Sequence, residues 1–331
     1  MAKASDEIRP DRRPWLRALA AMSVLVTFAA GLVAWPAPAQ ATHSTPRVII
    51  DTDFGQWWDD VAALAAAHAA ADAGQVRLLG VMTDVDNRWN APAIDALNTW
   101  YGRPDLPVGA PVGAPQVPEA YSRLLAERWP HSGRAVDAVT LYRRLLAAQP
   151  DHSVTIVAIG ALTNLSRLLR TDRELVARKV ARTVVMGGEY PRATAPEWNF
   201  GLDLDATRRV VDGWPGRVVY DGFEVGAKVF VGNGVCAAHR RDSPVRAVFD
   251  LLYGCGADQR DGTWDPAAVH YAIHGPTGTL RDAGAGGHNT VTADGLNRWQ
   301  PGGHRQRYLV LTDPARLTRQ IDAYVNRRPH R

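Results

Sequence analysis

The chain has 331 residues, 46% of them hydrophobic and 22% charged, with a formal net charge of +4. That length and apolar share suffice for one large core or two smaller ones and exclude disorder on compositional grounds. No stripe of Lys and Arg interleaved with aromatics runs through the body of the chain, which argues against a nucleic-acid partner.

The first 41 residues read as a signal peptide. A basic start is followed by an apolar stretch from Ala18 to Ala34 and by small residues suited to cleavage near Ala39 or Ala41. The Arg12-Arg13 pair ahead of Pro14, Trp15 and Leu16 resembles a twin-arginine export signal. An uncleaved membrane anchor is the alternative. No other run approaches the ~18 apolar residues that a spanning helix needs, so a secreted or extracytoplasmic protein without a stable membrane span after processing is expected.

A Pro/Ala/Thr linker leads into a domain expected over residues 46–328. "RVII" (47–50) reads as a strand, with Asp59 placed to cap the alanine-rich helix after it. "VRLLGVMT" (76–83) is the next strand candidate, followed by a helix around "APAIDALNTWYG" and a short extended piece in "RPDLPVGAP". "SRLLAERW" and "DAVTLYRRLLAA" look amphipathic. "SVTIVAIG" (153–160) is nearly all apolar, as a strand covered on both faces should be, and runs into the helix "ALTNLSRLLR". "KVARTVVMGG" and "GRVVYDGFEVG" offer two more strands, and residues 275–305, rich in Gly, are hairpins or loops. The alternation predicts an α/β fold: an open, mostly parallel central sheet with helices on both faces. Cys236 and Cys255 fit no zinc spacing; a disulfide and two buried thiols are equally consistent with them.

"DTDFGQWWDD" (51–60) places four carboxylates at the end of the first strand, where a ligand crevice belongs in such a sheet. Like charges so crowded need a positive partner. A hard cation held by oxygens fits, and calcium fits better than magnesium, which this many carboxylates would overcompensate without a phosphate. Position 12 counted from Asp51 is Ala62, so this is not an EF-hand loop. Completion of the shell is expected from a backbone carbonyl in "AIGALTN" (158–164), from the Glu197, Asn199 and Asp203 group, or from Asp265 before a proline, where a plain helix cap is the ordinary reading.

In order, "VIIDTDFGQWWDDVAAL", "TIVAIGALTNLSRLL", "VVMGGEYPRATAPEWNFGLDLDAT" and "WDPAAV" resemble the motifs of the inosine–uridine nucleoside hydrolase family. The resemblance implies Ca²⁺ at the carboxyl ends of the strands and hydrolysis of the N-glycosidic bond of a ribonucleoside or related riboside. It implies Asp53, Asp60, the carbonyl of Ile159 and Asp265 as metal ligands, with Asp60 using both oxygens. Asp51 would support the loop from behind, and Asp53 would also be the general base. Asp59, Glu197, Asn199 and Asn87 would hold the ribose, Trp264 would lie against the substrate, and a homodimer or homotetramer is implied.

Two departures stand out. Three residues, Gln56, Trp57 and Trp58, separate Gly55 from Asp59, where the best-known members have one. Trp264 stands where members that protonate a purine often carry a histidine; His270 and His274 are conceivable substitutes, with a buried or surface histidine the ordinary reading of each. At least one of Trp57, Trp58 and Trp264 is expected to line the pocket. A degenerate binding module that keeps the metal and sugar grip is the non-enzyme alternative. A magnesium phosphohydrolase is disfavoured by Gly55 and by the lack of an evident phosphate-gripping lysine.

Overall fold

Val48 and Ile50 belong to one apolar cluster and Ile49, between them, to a second. Val157 and Ile159 divide from Ile156 and Ala158 in the same way. Alternate side chains of a strand leave on opposite faces, so these continuous apolar runs bury both sides of a sheet. The structure, a computed structural model, describes residues 45–255 and 261–329. The signal peptide expected over residues 1–41 lies outside them.

The strands in chain order are β1 (Arg47–Thr52), β2 (Arg77–Thr83), β3 (Val108–Ala110), β4 (Ala135–Asp137), β5 (Val154–Ile159), β6 (Val180–Met186), β7 (Val218–Asp221), β8 (Leu280–Ala283), β9 (Gly287–Val291), β10 (Asn297–Pro301) and β11 (Gln306–Leu311). Nine of them form one sheet in the order β4-β3-β2-β1-β5-β6-β7-β11-β8. All its pairs are parallel except β11–β8. The Gly-rich stretch after residue 275 supplies the antiparallel edge strand β8 and the separate β9–β10 hairpin.

The helix Trp58–Asp72 is apolar nearly all round and buried from Trp58 to Ala70, because its alanines let it lie between the sheet and the helices Asp265–His274 and Pro314–Val325. Helices Ala138–Ala147, Thr163–Lys179 and Leu204–Gly213 cover the other face. Asp59 does not cap its helix as expected. The helix starts at Trp58 with no side-chain cap, and Asp59 sits in its first turn with its carboxylate engaged elsewhere.

Candidate active site

The central strands of a parallel sheet end on the same side, and this chain ends several of them in acids. Asp51 lies within β1 and Asp53 just past it; Asp84 follows β2; Asp221 closes β7. All four are buried. Gly160, just past β5, permits the close approach: a Cβ there would stand 2.5 Å from the Asp53 amide nitrogen and 2.6 Å from an Asp84 oxygen.

Asp51 is held from behind. Tyr142 donates its hydroxyl to one oxygen at 3.0 Å, and Asn164 donates its amide to the other at 2.9 Å and to the Thr83 carbonyl. Burial nonetheless lifts Asp51 to about 7. Asn164, in the "ALTN" segment, therefore works through Asp51. Thr52 donates its hydroxyl to Asp60, which leaves the second Asp60 oxygen buried without a partner, as is one oxygen of Asp53.

Asp59 accepts from the Trp264 amide at 3.1 Å, which draws the start of the Asp265–His274 helix onto the start of the Trp58–Asp72 helix. One carboxylate oxygen from each of Asp59, Asp60 and Asp265 then lies within 4.8 Å of the other two. Burial and mutual repulsion push Asp60 and Asp265 well above the ordinary carboxylate range; burial and the Asp59 charge take Asp53 to about 7, and burial takes Asp59 to about 6. The set cannot all ionise without a compensating charge. A hard cation would supply it: the ligands are oxygens, and two of the buried ones lack partners.

Glu197 caps the short helix Trp198–Leu202, accepting from the Asn199 and Phe200 amides at 3.0 and 3.1 Å, and also from Gly188 at 3.0 Å. It thereby ties the end of β6 to the helix carrying Asn199, whose amide reaches the Met186 sulfur at 3.0 Å. Asp53, Asp59, Asp265, Glu197 and Asn199 line one cavity of about 340 Å³, together with Trp57, Trp58 and Trp264. Three of the four sequence-derived sugar positions, Asp59, Glu197 and Asn199, thus converge with the three tryptophans.

Four residues named from the sequence lie outside the cavity lining. Ile159 is buried at the end of β5, paired with Thr52, and is not among the cavity-lining residues. Asn87 is outside the lining too; its side chain accepts from the Trp89 amide at 3.0 Å and holds the turn before the Asn90–Trp100 helix. His270 packs tilted against His274, and His274 against Tyr324 of the Pro314–Val325 helix, as the ordinary reading of these histidines has it. The Trp264 indole is committed to the Phe223 carbonyl at 2.9 Å.

Asp84 and Asp221 are acids that sequence reasoning missed. Asp84 accepts from the Ala161 amide at 3.1 Å and keeps one oxygen unpartnered; both Asp221 oxygens are unpartnered. Burial raises both strongly. A signal existed: each is the acid that ends an apolar run, "VRLLGVMTD" and "RVVYD". Cys236 and Cys255 form a disulfide between the Val235–Ala238 helix and the end of the Pro244–Tyr253 helix.

Residues 48–298 match the family described as inosine-uridine preferring nucleoside hydrolase. A non-specific ribonucleoside hydrolase, RihC, of Klebsiella pneumoniae is 30% identical over 181 residues, 49% of this chain. The aligned segment spans 57% of that relative's length. Among solved structures, the plant nucleoside hydrolase PpNRh1 superposes with a TM-score of 0.68 at 18% identity, covering 85% of this chain and 99% of its own. The inosine-uridine preferring nucleoside hydrolase of Bacillus anthracis gives 0.67 at 18% identity, with 85% and 99% covered. At such identities the superpositions show the shared fold.

Proposed function

We propose that this chain, which belongs to the inosine-uridine preferring nucleoside hydrolase family, hydrolyses the N-glycosidic bond of a ribonucleoside or related N-riboside with the help of Ca²⁺. The observation that carries the proposal is the convergence of Asp53, Asp59 and Asp265 from separate elements on one cavity shared with Glu197 and Asn199. In this reading Asp53, Asp60, Asp265 and the Ile159 carbonyl hold the cation, and the geometry adds Asp59 as a near neighbour. When bound, the cation supplies the compensating charge that keeps these carboxylates ionised, and Lewis acidity toward water.

The protein's own groups account for the rest. Asp53 takes a proton from the water that attacks C1′. Glu197 and Asn199 grip the ribose hydroxyls and fix the anomeric carbon against that water. The surrounding carboxylates stabilise the oxocarbenium-like charge that develops as the bond to the base breaks. Asp51 positions the loop, anchored by Tyr142 and Asn164.

A binding role without turnover is the second reading, favoured by Trp264, whose indole N–H donates to the Phe223 carbonyl and is too weak an acid to protonate a departing base. Ribose release from inosine, uridine and a nitrophenyl riboside, with chelator and after return of calcium or magnesium, tests both. Calcium-restored release supports hydrolysis; nucleoside binding with no release of ribose from any of the three supports the second reading. Export after cytosolic folding belongs to the same proposal, supported by the Arg12-Arg13 segment and by a disulfide suited to an oxidising compartment. So does the homodimer or homotetramer. Among the described residues no helix is long and apolar enough to cross a membrane.

A further inference from the structure

The sheet that gathers carboxylates at one end gathers the opposite charge at the other. In the order β2-β1-β5-β6-β7-β11, five of six neighbouring strands begin on a cation or directly after one: Arg77, Arg47, Lys179, Arg217 and Arg305. Arg47 pairs with Arg77 in register, and the Val218 amide donates to the Arg305 carbonyl at 3.0 Å, so the starts lie side by side. The row spans about 24 Å at the usual spacing between strands. Asp151 holds Lys179 and Asp282 holds Arg217, each at 2.8 Å. Arg77 and Arg305 are exposed and make no ion pair among the described residues. Lys179 ends a helix, whose dipole favours a cation there. A strand start has no comparable dipole, so Arg77, Arg217 and Arg305 call for another reason.

Helices Asn90–Trp100 and Pro314–Val325 run back from the carboxyl ends of the strands and so finish at this pole. At their ends, Trp100, His239, Arg240, Arg328 and Pro329 line a cavity of about 130 Å³. His239 serves packing, its ring lying between the Val325 carbonyl at 2.7 Å and the Ser243 hydroxyl at 3.1 Å. Arg240 gives one N–H to Asp242, and Arg328 one to the Ala238 carbonyl. Each guanidinium has further N–H groups suited to an oxyanion. The chain also enters the domain here. Ten residues of sequence, 35–44, separate Ala34, the last of the apolar stretch, from Thr45 ahead of β1.

We propose that this amino-end pole docks on an anionic phospholipid surface, with one phosphodiester headgroup held by Arg240 and Arg328 beside Trp100. A row of separate cations suits a diffuse negative field better than one small ligand. Tryptophan is at home where hydrocarbon meets water. The row holds no ring for a base to stack on, which disfavours a nucleic acid. Export brings the apolar stretch to a bilayer, and the short tether joins the domain at the pole that fits one. Docked in this way, the carboxylate cavity faces away from the lipid, about one strand length or 20 Å above it, open to solutes. The proposal is independent of the hydrolase reading.

Co-sedimentation of the full-length chain with phosphatidylcholine vesicles, with and without one part in three of phosphatidylglycerol, tests it. The anionic vesicles should bind roughly a hundredfold more tightly. That preference should shrink roughly tenfold or more when salt is raised to about 0.5 M. Arg77→Gln combined with Arg305→Gln should weaken binding to the anionic vesicles roughly 25-fold, at about fivefold per cation, and Arg240→Gln about fivefold. The melting temperature and ribose release from a nitrophenyl riboside should keep their parental values in all of them. Equal binding to both kinds of vesicle overturns the proposal. So does an anionic preference that the double variant leaves intact, which assigns the attraction to the cations of residues 1–17. Capture by duplex DNA without capture by vesicles overturns it as well, as does binding of inorganic phosphate with no binding of vesicles.

Discussion

Asp59 and Trp264 stand 205 positions apart in the chain, and the amide of the second donates to the carboxylate of the first at 3.1 Å. That bond sets where the Asp265–His274 helix begins relative to Asp60. Replacing Asp59 by Asn keeps an acceptor for Trp264 but removes a charge from the group of three close carboxylates. The melting temperature of Asp59→Asn should stay within a few degrees of the parent while kcat/KM on a nitrophenyl riboside falls roughly a hundredfold or more. A variant that keeps full activity would reduce Asp59 to a structural tie.

Asp60 offers one buried oxygen to Thr52 and holds the other without a partner. Binding of calcium to the folded state alone should stabilise it by about 2.7 kcal/mol at a hundredfold excess over Kd. Asp60→Asn should abolish most of that calcium-induced rise in melting temperature, read by differential scanning fluorimetry with chelated protein as baseline. An undiminished rise would place the cation elsewhere.

The same acids give the chelated protein an unusual pH dependence. Burial raises Asp51 and Asp53 from 3.8 to about 7 and Asp59 to about 6, so between about pH 4 and 7 the folded state holds more protons than the unfolded one. Stability then falls as pH rises through that window, the reverse of a salt-bridged carboxylate. Without metal the protein should melt higher near pH 5 than near pH 8. Calcium should stabilise it more near pH 8, where protons no longer compete for the ligands. A chelated protein that is more stable at the higher pH would contradict the crowding of buried acids.

Much of this centre was legible in the sequence for a simple reason. Asp53 and Asp265 sit where an apolar run stops or a helix starts, and "VIIDTDFGQWWDD" is too rich in acids to be an ordinary loop. Asp84 and Asp221 each end an apolar run, but a lone acid after a strand also ends a turn, so the sequence signal does not single them out and only the fold shows both of them buried. Asp59 illustrates the opposite error. Its position next to a helix start suggests a cap, but local pattern carries no trace of the Trp264 amide that claims its carboxylate. Asn87 likewise turns out to serve its own turn. The parallel order of the sheet was readable from alternation, whereas the addition of β8 antiparallel at its edge depends on a long-range pairing with β11.

Asn164 gives a prediction about support rather than chemistry. Its amide serves the Asp51 carboxylate and the Thr83 carbonyl at 2.9 Å each, all three groups being buried. Asn164→Ala strands two buried acceptors, at a cost of about 1–3 kcal/mol each. Denaturant unfolding should show a loss of that order, and Tyr142→Phe, which removes one donor to the same carboxylate, a smaller one. If neither variant loses stability, Asp51 is not anchored in the way its hydrogen bonds indicate.

The disulfide joins Cys236 to Cys255 across 19 positions, and Tyr253, two residues before the second cysteine, lines the cavity and packs edge-on against Trp58. Closing a loop of that length restricts the unfolded chain enough to contribute about 3 kcal/mol. It also pins the end of the Pro244–Tyr253 helix against the Val235–Ala238 helix. Loss of the bridge therefore bears on both stability and the shape of one cavity wall. Cys236→Ser paired with Cys255→Ser should lower unfolding free energy by about that amount. It should also raise KM for a riboside several-fold with kcat little changed, because Tyr253 lines the cavity wall while Asp53 follows β1 and Asp60 sits in the first turn of the Trp58–Asp72 helix, where Thr52 holds it. A fall in kcat with KM unchanged would show instead that the bridge supports the carboxylates themselves.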